Sequence, residues 1–367
     1  MLRGRVNLPT NALAMTCTLD AYTDFLISSN GPATATNLSR LHQGAISHDQ
    51  VTRWLASDYL DSKKVWAHAK PLIKNDLSTK TAQDFAVLIV DDSLLEKPHT
   101  DPNAMVARYW DHCSNTYVKA VNFMSLLYQT SGLCVPIAVQ FIEKTEEVFD
   151  SKTMKFKFVS AFTKNEYLQQ MLAVAQQQLD YEFLLGDTWY SSTQNMNCVL
   201  GLKHQFIFAL ETSRTAACSE AERQQGKFVR LDALAFVDQV PLRVFLRSVK
   251  QAVLVVKQVF TNKDGSQGVL YLVCSDTGLS YEQITTIYQR RWKVEEYHKS
   301  LKQNASMGNS PTRTMETQAN HLFASVLAFI KLEALRIKLT LNQFKIKALL
   351  YIAGLKASYQ ELAILSA

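Results

Sequence analysis

Phe85-Ala86-Val87-Leu88-Ile89-Val90-Asp91-Asp92-Ser93 is the stretch from which the fold is read. Its apolar run, rich in branched residues, has no polar interruption, so both of its faces must be buried. That is the pattern of a strand inside a sheet covered on both sides. The run stops at two carboxylates. Further along, Tyr181-Glu182-Phe183-Leu184-Leu185-Gly186-Asp187 reads as a second short strand ending in an acid. A carboxylate at a strand end has its backbone fixed by the sheet and its side chain at the open edge, where α/β folds hold ligands. Between the two, Val118 to Leu127 and Cys134 to Ile142 read as further strands with Gly132 in the turn, and Lys164 to Leu179 as a helix. The fold class is therefore α/β.

Outward from this region the texture changes. Residues 1–80 are polar and read as short helices broken at Asn30, Gly31, Pro32 and Gly44, a helical head suited to binding DNA. Ser47 is placed to cap one of them, with Gln50 three residues on completing a capping box. Residues 81–194 form the first part of the α/β core. Residues 195–276 carry strand signals such as Phe206 to Leu210, Ala252 to Val259 and Val269 to Cys274, with Asp264-Gly265 as a turn, and read as a β-rich insertion. Residues 277–340 return to helix as the second part of the core, Ala319 to Lys338 being apolar enough to pack on a sheet. A helical region, 341–367, follows.

Composition narrows the class of function. With 47% apolar residues over 367 positions there is core material for two or three domains. A formal charge of +6 favours a polyanionic partner without identifying one. The six cysteines (17, 113, 134, 198, 218 and 274) lack the paired spacing of a zinc site and fit a reducing cytosol. No uninterrupted apolar stretch reaches the roughly 20 residues of a membrane span, so no membrane partner is expected. No G-x-x-x-x-G-K or G-x-G-x-x-G run occurs, which argues against a nucleotide-driven enzyme.

The third informative stretch is Tyr288-Gln289-Arg290-Arg291-Trp292-Lys293-Val294-Glu295-Glu296-Tyr297-His298-Lys299-Ser300-Leu301-Lys302. Tyr288, Arg291, Glu295 and Lys302 follow one another at helical offsets and form a single polar stripe, joined by His298 and Lys299. A solvated face with an ordinary Arg291–Glu295 pair is the plainer explanation, worth a few tenths of a kcal/mol. The chemistry gives a second one. Two hard cations roughly 4 Å apart need bridging carboxylates, which Asp91 or Asp92, Asp187 and Glu295 could supply. Oxygen donors favour Mg2+, with Mn2+ as a substitute. Arg291 and Lys302 could then hold flanking phosphates, and Tyr288 could donate a hydroxyl hydrogen bond to one, contacts that position DNA without reading its sequence.

At these residues the chain resembles the DDE transposases of bacterial insertion sequences, in the group marked by Y-x(2)-R-x(3)-E-x(6)-K. Asp91-Asp92-Ser93 and Leu185-Gly186-Asp187-Thr188-Trp189-Tyr190 extend the resemblance, which covers roughly residues 85–330. It implies a ribonuclease H-like core with a β-rich insertion, and a metal site of Asp91, Asp187 and Glu295. Asp92 is the alternative to Asp91, since successive strand side chains point to opposite faces. Tyr288, Arg291, Lys299 and Lys302 become DNA-binding residues. The implied reaction is cleavage at terminal inverted repeats of double-stranded DNA and strand transfer into target DNA, by cut-and-paste through a hairpin intermediate. The implied assembly is a homodimer, in the cytoplasm of a bacterium and at the nucleoid when bound. Trp189, Tyr190 and Trp292 are aromatic candidates for holding a flipped base or for the core, and His112 and His298 could lie near the site in supporting or structural roles. A ribonuclease H-like nuclease or resolvase, or a DNA-binding protein that no longer uses its acids, are the alternatives.

Overall fold

A computed structural model describes residues 15–57, 60–79, 85–262 and 264–366. The chain divides into two compact units, Met1–Asp61 with Lys299–Ala367, and Ser62–His298. In chain order the smaller unit opens with α1 (Leu19–Ser28), α2 (Ala35–Leu41) and α3 (His48–Ser57). The larger unit carries α4 (Ser62–Thr79), β1 (Val87–Glu96), β2 (Val106–Asp111), β3 (Thr116–Gln129), β4 (Cys134–Phe141), β5 (Glu146–Asp150) and β6 (Lys155–Val159). There follow α5 (Lys164–Gln176), β7 (Phe183–Gly186), α6 (Thr193–Gly201), β8 (Gln205–Leu210), β9 (Thr215–Ala217), α7 (Glu220–Gln224) and β10 (Val229–Arg230). Next come β11 (Leu242–Leu246), β12 (Val253–Thr261), β13 (Gln267–Cys274) and α8 (Tyr281–Gln289). The remaining helices are α9 (Lys293–Gln303), α10 (Met315–Leu339) and α11 (Gln343–Ser366).

The larger unit is a mixed α/β fold built on one eleven-stranded sheet, in the order β10-β9-β11-β12-β13-β8-β7-β1-β3-β2, with β4 also paired to β3. Val87 to Val90 are fully buried, as an unbroken apolar run requires. β1 lies antiparallel to β3 along its whole length, from Val87 opposite Gln129 to Glu96 opposite Ala120. Its parallel pairing with β7 is far shorter and ends at Ile89 opposite Leu185. β1 therefore does not stop at Asp91 and Asp92 as the sequence led us to expect. It continues to Glu96 because β3 still pairs with it, while the pairing with β7 ends before the acids and the chain enters a 3-10 turn at Asp187. β8, which lies within the stretch read as an insertion, pairs parallel to β7.

Local sequence signals account for the flanking helices. Thr163 and Glu166 form a capping box at the start of α5, and Ser280 and Gln283 do so at α8. The Ser47–Gln50 box expected at α3 is also present, its two hydrogen bonds measuring 3.2 and 2.8 Å.

In the smaller unit α10 packs on α1, α3 and α11, where a sheet had been expected as its support. Its face carries buried polar groups that find partners in the N-terminal helices. The Tyr22 hydroxyl is 2.9 Å from His321 Nδ1, and the Asn320 side chain binds Leu55 O and the Leu60 N–H. α11 is apolar but outward: from Ala348 to Ser366 every residue is exposed. No helix among the described residues is long and apolar enough to cross a membrane.

Candidate active site

The sheet delivers Asp91 and Asp187 to one place because β1 and β7 are parallel neighbours. Gly186 allows the close approach: a Cβ there would meet Val90 Cγ1 at 3.1 Å and the Phe208 ring at 3.2 Å. The next residue, Asp187, caps a 3-10 turn, its Oδ1 accepting from the Trp189 N–H at 3.0 Å. Asp91 Oδ1 accepts from the Asp92 N–H at 2.9 Å.

Two half-buried carboxylates brought close enough to repel each other resist ionisation. Burial, then repulsion from Asp187, pushes the Asp91 carboxyl up to about 7. Burial also raises Asp187, with the charge of Asp92 adding to it, although the Trp189 N–H opposes the shift.

Asp92 points elsewhere, as alternation along a strand demands. Its Oδ2 lies 2.6 Å from Lys164 Nζ and its Oδ1 accepts from the Tyr190 hydroxyl at 2.9 Å. Tyr190 is fully buried, so this hydrogen bond fixes it as a support for Asp92. Trp189 and Trp292 are, by contrast, 59% and 64% exposed, with Lys164 5.1 Å over the Trp189 ring.

Opposite the acids stands Arg291. Its Nη1 is 3.7 Å from Asp91 Oδ2 and 3.8 Å from Glu295 Oε1. Both distances are too long for hydrogen bonds, and its buried Nε has no partner among the described residues. The guanidinium is thus held between the half-buried Asp91, the Tyr288 side chain and Glu295, whose side chain is 51% exposed. Its fork is left able to take further oxygens.

The expected single stripe is interrupted. α8 ends at Gln289, residues Arg290–Trp292 form a 3-10 turn, and α9 starts at Lys293. The tighter turn changes the angle between Tyr288 and Glu295. Tyr288, expected to reach a phosphate, is buried and donates to Gly186 O at 3.4 Å, tying α8 to the residue before Asp187. Lys299 and Lys302 belong to the other compact unit, where Lys299 sits 5.2 Å over the Phe344 ring and Lys302 is exposed. His298 is buried edge-on against Phe123, and His112 packs on Trp110 at the β2–β3 turn, not among the acids.

Two positioning residues escaped the sequence reading. Arg290 binds Phe85 O through both terminal nitrogens and also reaches Gln129 O and Oε1, so it locks the 3-10 turn to the entrance of β1 and exit of β3. The doubled arginine was the available signal, because neighbouring side chains on a helix cannot share one stripe. Lys164 could not be found from spacing, since it lies 72 residues from its partner Asp92.

Among the described residues no three His, Cys, Asp or Glu side chains are gathered as a metal cluster. The donor set is nevertheless suited to a hard cation. Asp91 and Asp187 repel each other in a half-buried setting, and Arg291 stands at ion-pair distance from Asp91 without a hydrogen bond to it.

Residues 83–330 match the family described as Transposase DDE domain. No curated protein matches the chain. Among solved structures, a Mos1 transposase paired-end complex with left transposon end is similar over 56% of this chain and 61% of that one, at 10% identity and a TM-score of 0.17. The alignment spans less than two thirds of that protein, and the superposition is too loose to equate their elements.

Proposed function

The chain belongs to the transposase DDE-domain family, and from that premise we propose that it is a metal-dependent DNA transposase using Asp91, Asp187 and Glu295. The observation that carries this reading is the meeting of Asp91 and Asp187 at the end of β7 beside Arg291. A ribonuclease H-like core is supported by the strand order β4-β3-β1-β7-β8, three antiparallel strands followed by two parallel ones, with α5 and α6 in the connections.

Asp91 is favoured over Asp92 as first ligand because Asp92 is already engaged by Lys164 and Tyr190. Two Mg2+ ions, or Mn2+ in their place, would be held by Asp91, Asp187 and Glu295. When bound, such ions would activate the attacking water or 3' hydroxyl and stabilise the departing oxygen. Arg291 would release its hold between Asp91 and Glu295 and take a phosphate oxygen, allowing Glu295 to turn inward. Tyr288, through Gly186, and Arg290, through Phe85, keep the two sides of the cleft in register.

The reaction proposed is cleavage at paired transposon ends and joining to target DNA by cut-and-paste through a hairpin intermediate, in a bacterial cytoplasm and at the nucleoid. Lys299 and Lys302 are assigned to DNA phosphates on the family resemblance. A homodimer is supported by α11: its nine large exposed apolar side chains between Leu349 and Leu365 offer on the order of 1000 Å², comparable with the roughly 800 Å² per partner of a standard interface. The test is incubation with the element's end DNA and Mg2+, expecting nicked and joined products. Nicking without joining would favour a nuclease, and binding without either would refute an active enzyme.

A further inference from the structure

We propose that the outer face of the β2–β3 hairpin is a second contact for duplex DNA, with Arg108 and Lys119 straddling a backbone phosphate and Trp110 and Tyr117 packing beside it. The inference rests on the DNA-transposase reading and adds to it a surface remote from the acids.

The register carries the case. Trp110 pairs with Tyr117, Arg108 with Lys119 and Val106 with Val121. Paired residues project to the same side, so this face carries, from the tip inward, two aromatics, two cations and two buried valines. The tip aromatics are 43% and 66% exposed, with ring centroids 5.1 Å apart. An aromatic pair stabilises a hairpin on its own account, but two cations directly opposite one another destabilise it. Neither Arg108 nor Lys119 has an ion-pair partner among the described residues. A third cation adjoins them: Lys144 Nζ donates to Arg108 O at 3.1 Å and lies 4.4 Å over the Tyr109 ring.

All three cations line a trough of about 1260 Å³, against Glu96 as the acid of its wall. The acid of the turn is inward-facing: Asp111 accepts from the Cys113 and Ser114 N–H groups and from the Ser114 hydroxyl. Clustered positive charge beside exposed rings is the chemistry that takes phosphates and sugar or base edges together.

The hairpin face and the candidate active site lie on the same side of β3, separated by the buried Ser125, Phe123 and Val121. Asp91 pairs with Ser125 on β3, and Ser125, Phe123, Val121, Lys119 and Tyr117 alternate onto one side. Lys119 lies six positions along β3 from Ser125, roughly 20 Å at strand spacing, or about six base pairs of duplex. The hairpin cations thus stand about half a helical turn of duplex from Asp91.

The experiment measures binding of a labelled duplex of about 30 base pairs in EDTA, where cleavage cannot intervene, across salt from about 50 to 200 mM. Arg108→Gln/Lys119→Gln is compared with wild type and with Lys63→Gln/Lys74→Gln, which removes two exposed lysines of α4. The hairpin variant should weaken binding and lower the salt slope by about 1.8, so that its deficit shrinks about tenfold over this range. Its melting temperature should equal or exceed that of wild type, because a repulsion is removed. A wild-type slope in the hairpin variant, or an equal loss in the α4 variant, overturns the proposal. Absence of any wild-type binding would instead refute the DNA reading beneath it.

Discussion

Titrating Mg2+ binding against pH tests the chemistry of Asp91. Burial and Asp187 raise this carboxyl to about 7 in the metal-free protein, whereas in an unfolded chain it titrates near 4. The proton is therefore held more tightly when folded. Folding stability contributed by this group is greatest below about pH 4, declines as pH rises, and levels off above about 7. At about 1.4 kcal/mol per pH unit, the upper bound on the decline is about 4 kcal/mol. Mg2+ must displace the same proton. Its affinity should fall about tenfold for each pH unit below 7 and flatten above, with close to one proton released per protein at pH 6. Calorimetry in buffers of different ionisation enthalpy reads that proton directly. Asp91→Asn should abolish both the release and tight binding. A Mg2+ affinity independent of pH from about 5.5 to 8 would refute the reasoning.

Two further perturbations address the scaffold. Arg290→Ala leaves the carbonyls of Phe85 and Gln129 without their charged donor and should cost about 1.5 to 3 kcal/mol in denaturant unfolding; a loss below about 0.5 kcal/mol would show that the turn is held otherwise. Leu355→Glu with Leu362→Glu places charge on the exposed face of α11, and sedimentation should change from dimer to monomer with the melting temperature of the protomer retained. A wild-type profile would remove α11 from the interface.

How much was legible in the sequence follows from what each segment buries. β1 and β7 were readable because burial on both faces leaves an unbroken apolar run, and the acids at Asp91 and Asp187 stood out against it. The capping boxes at Ser47 and Ser280 were local and needed no tertiary knowledge. β2, β5 and β6 were missed because their faces are largely exposed, so no periodic apolar signal marks them. The continuation of β1 past the acids depends on the length of β3, which only pairing reveals. The helical stripe at Tyr288 to Lys302 was legible as composition but not as geometry, because a 3-10 turn and an ideal helix share the same residues. The partners of Asp92 and of Arg290 are distant in the chain and invisible to spacing.

The most direct measurement is anomalous scattering from Mn2+-soaked crystals of the protein bound to end DNA. Two peaks about 3.5 to 4 Å apart are expected, ligated by carboxylate oxygens of Asp91, Asp187 and Glu295, with Arg291 turned onto a phosphate. Peaks held by Asp92 in place of Asp91, or no metal beside Asp187 while DNA occupies the cleft, would contradict that assignment.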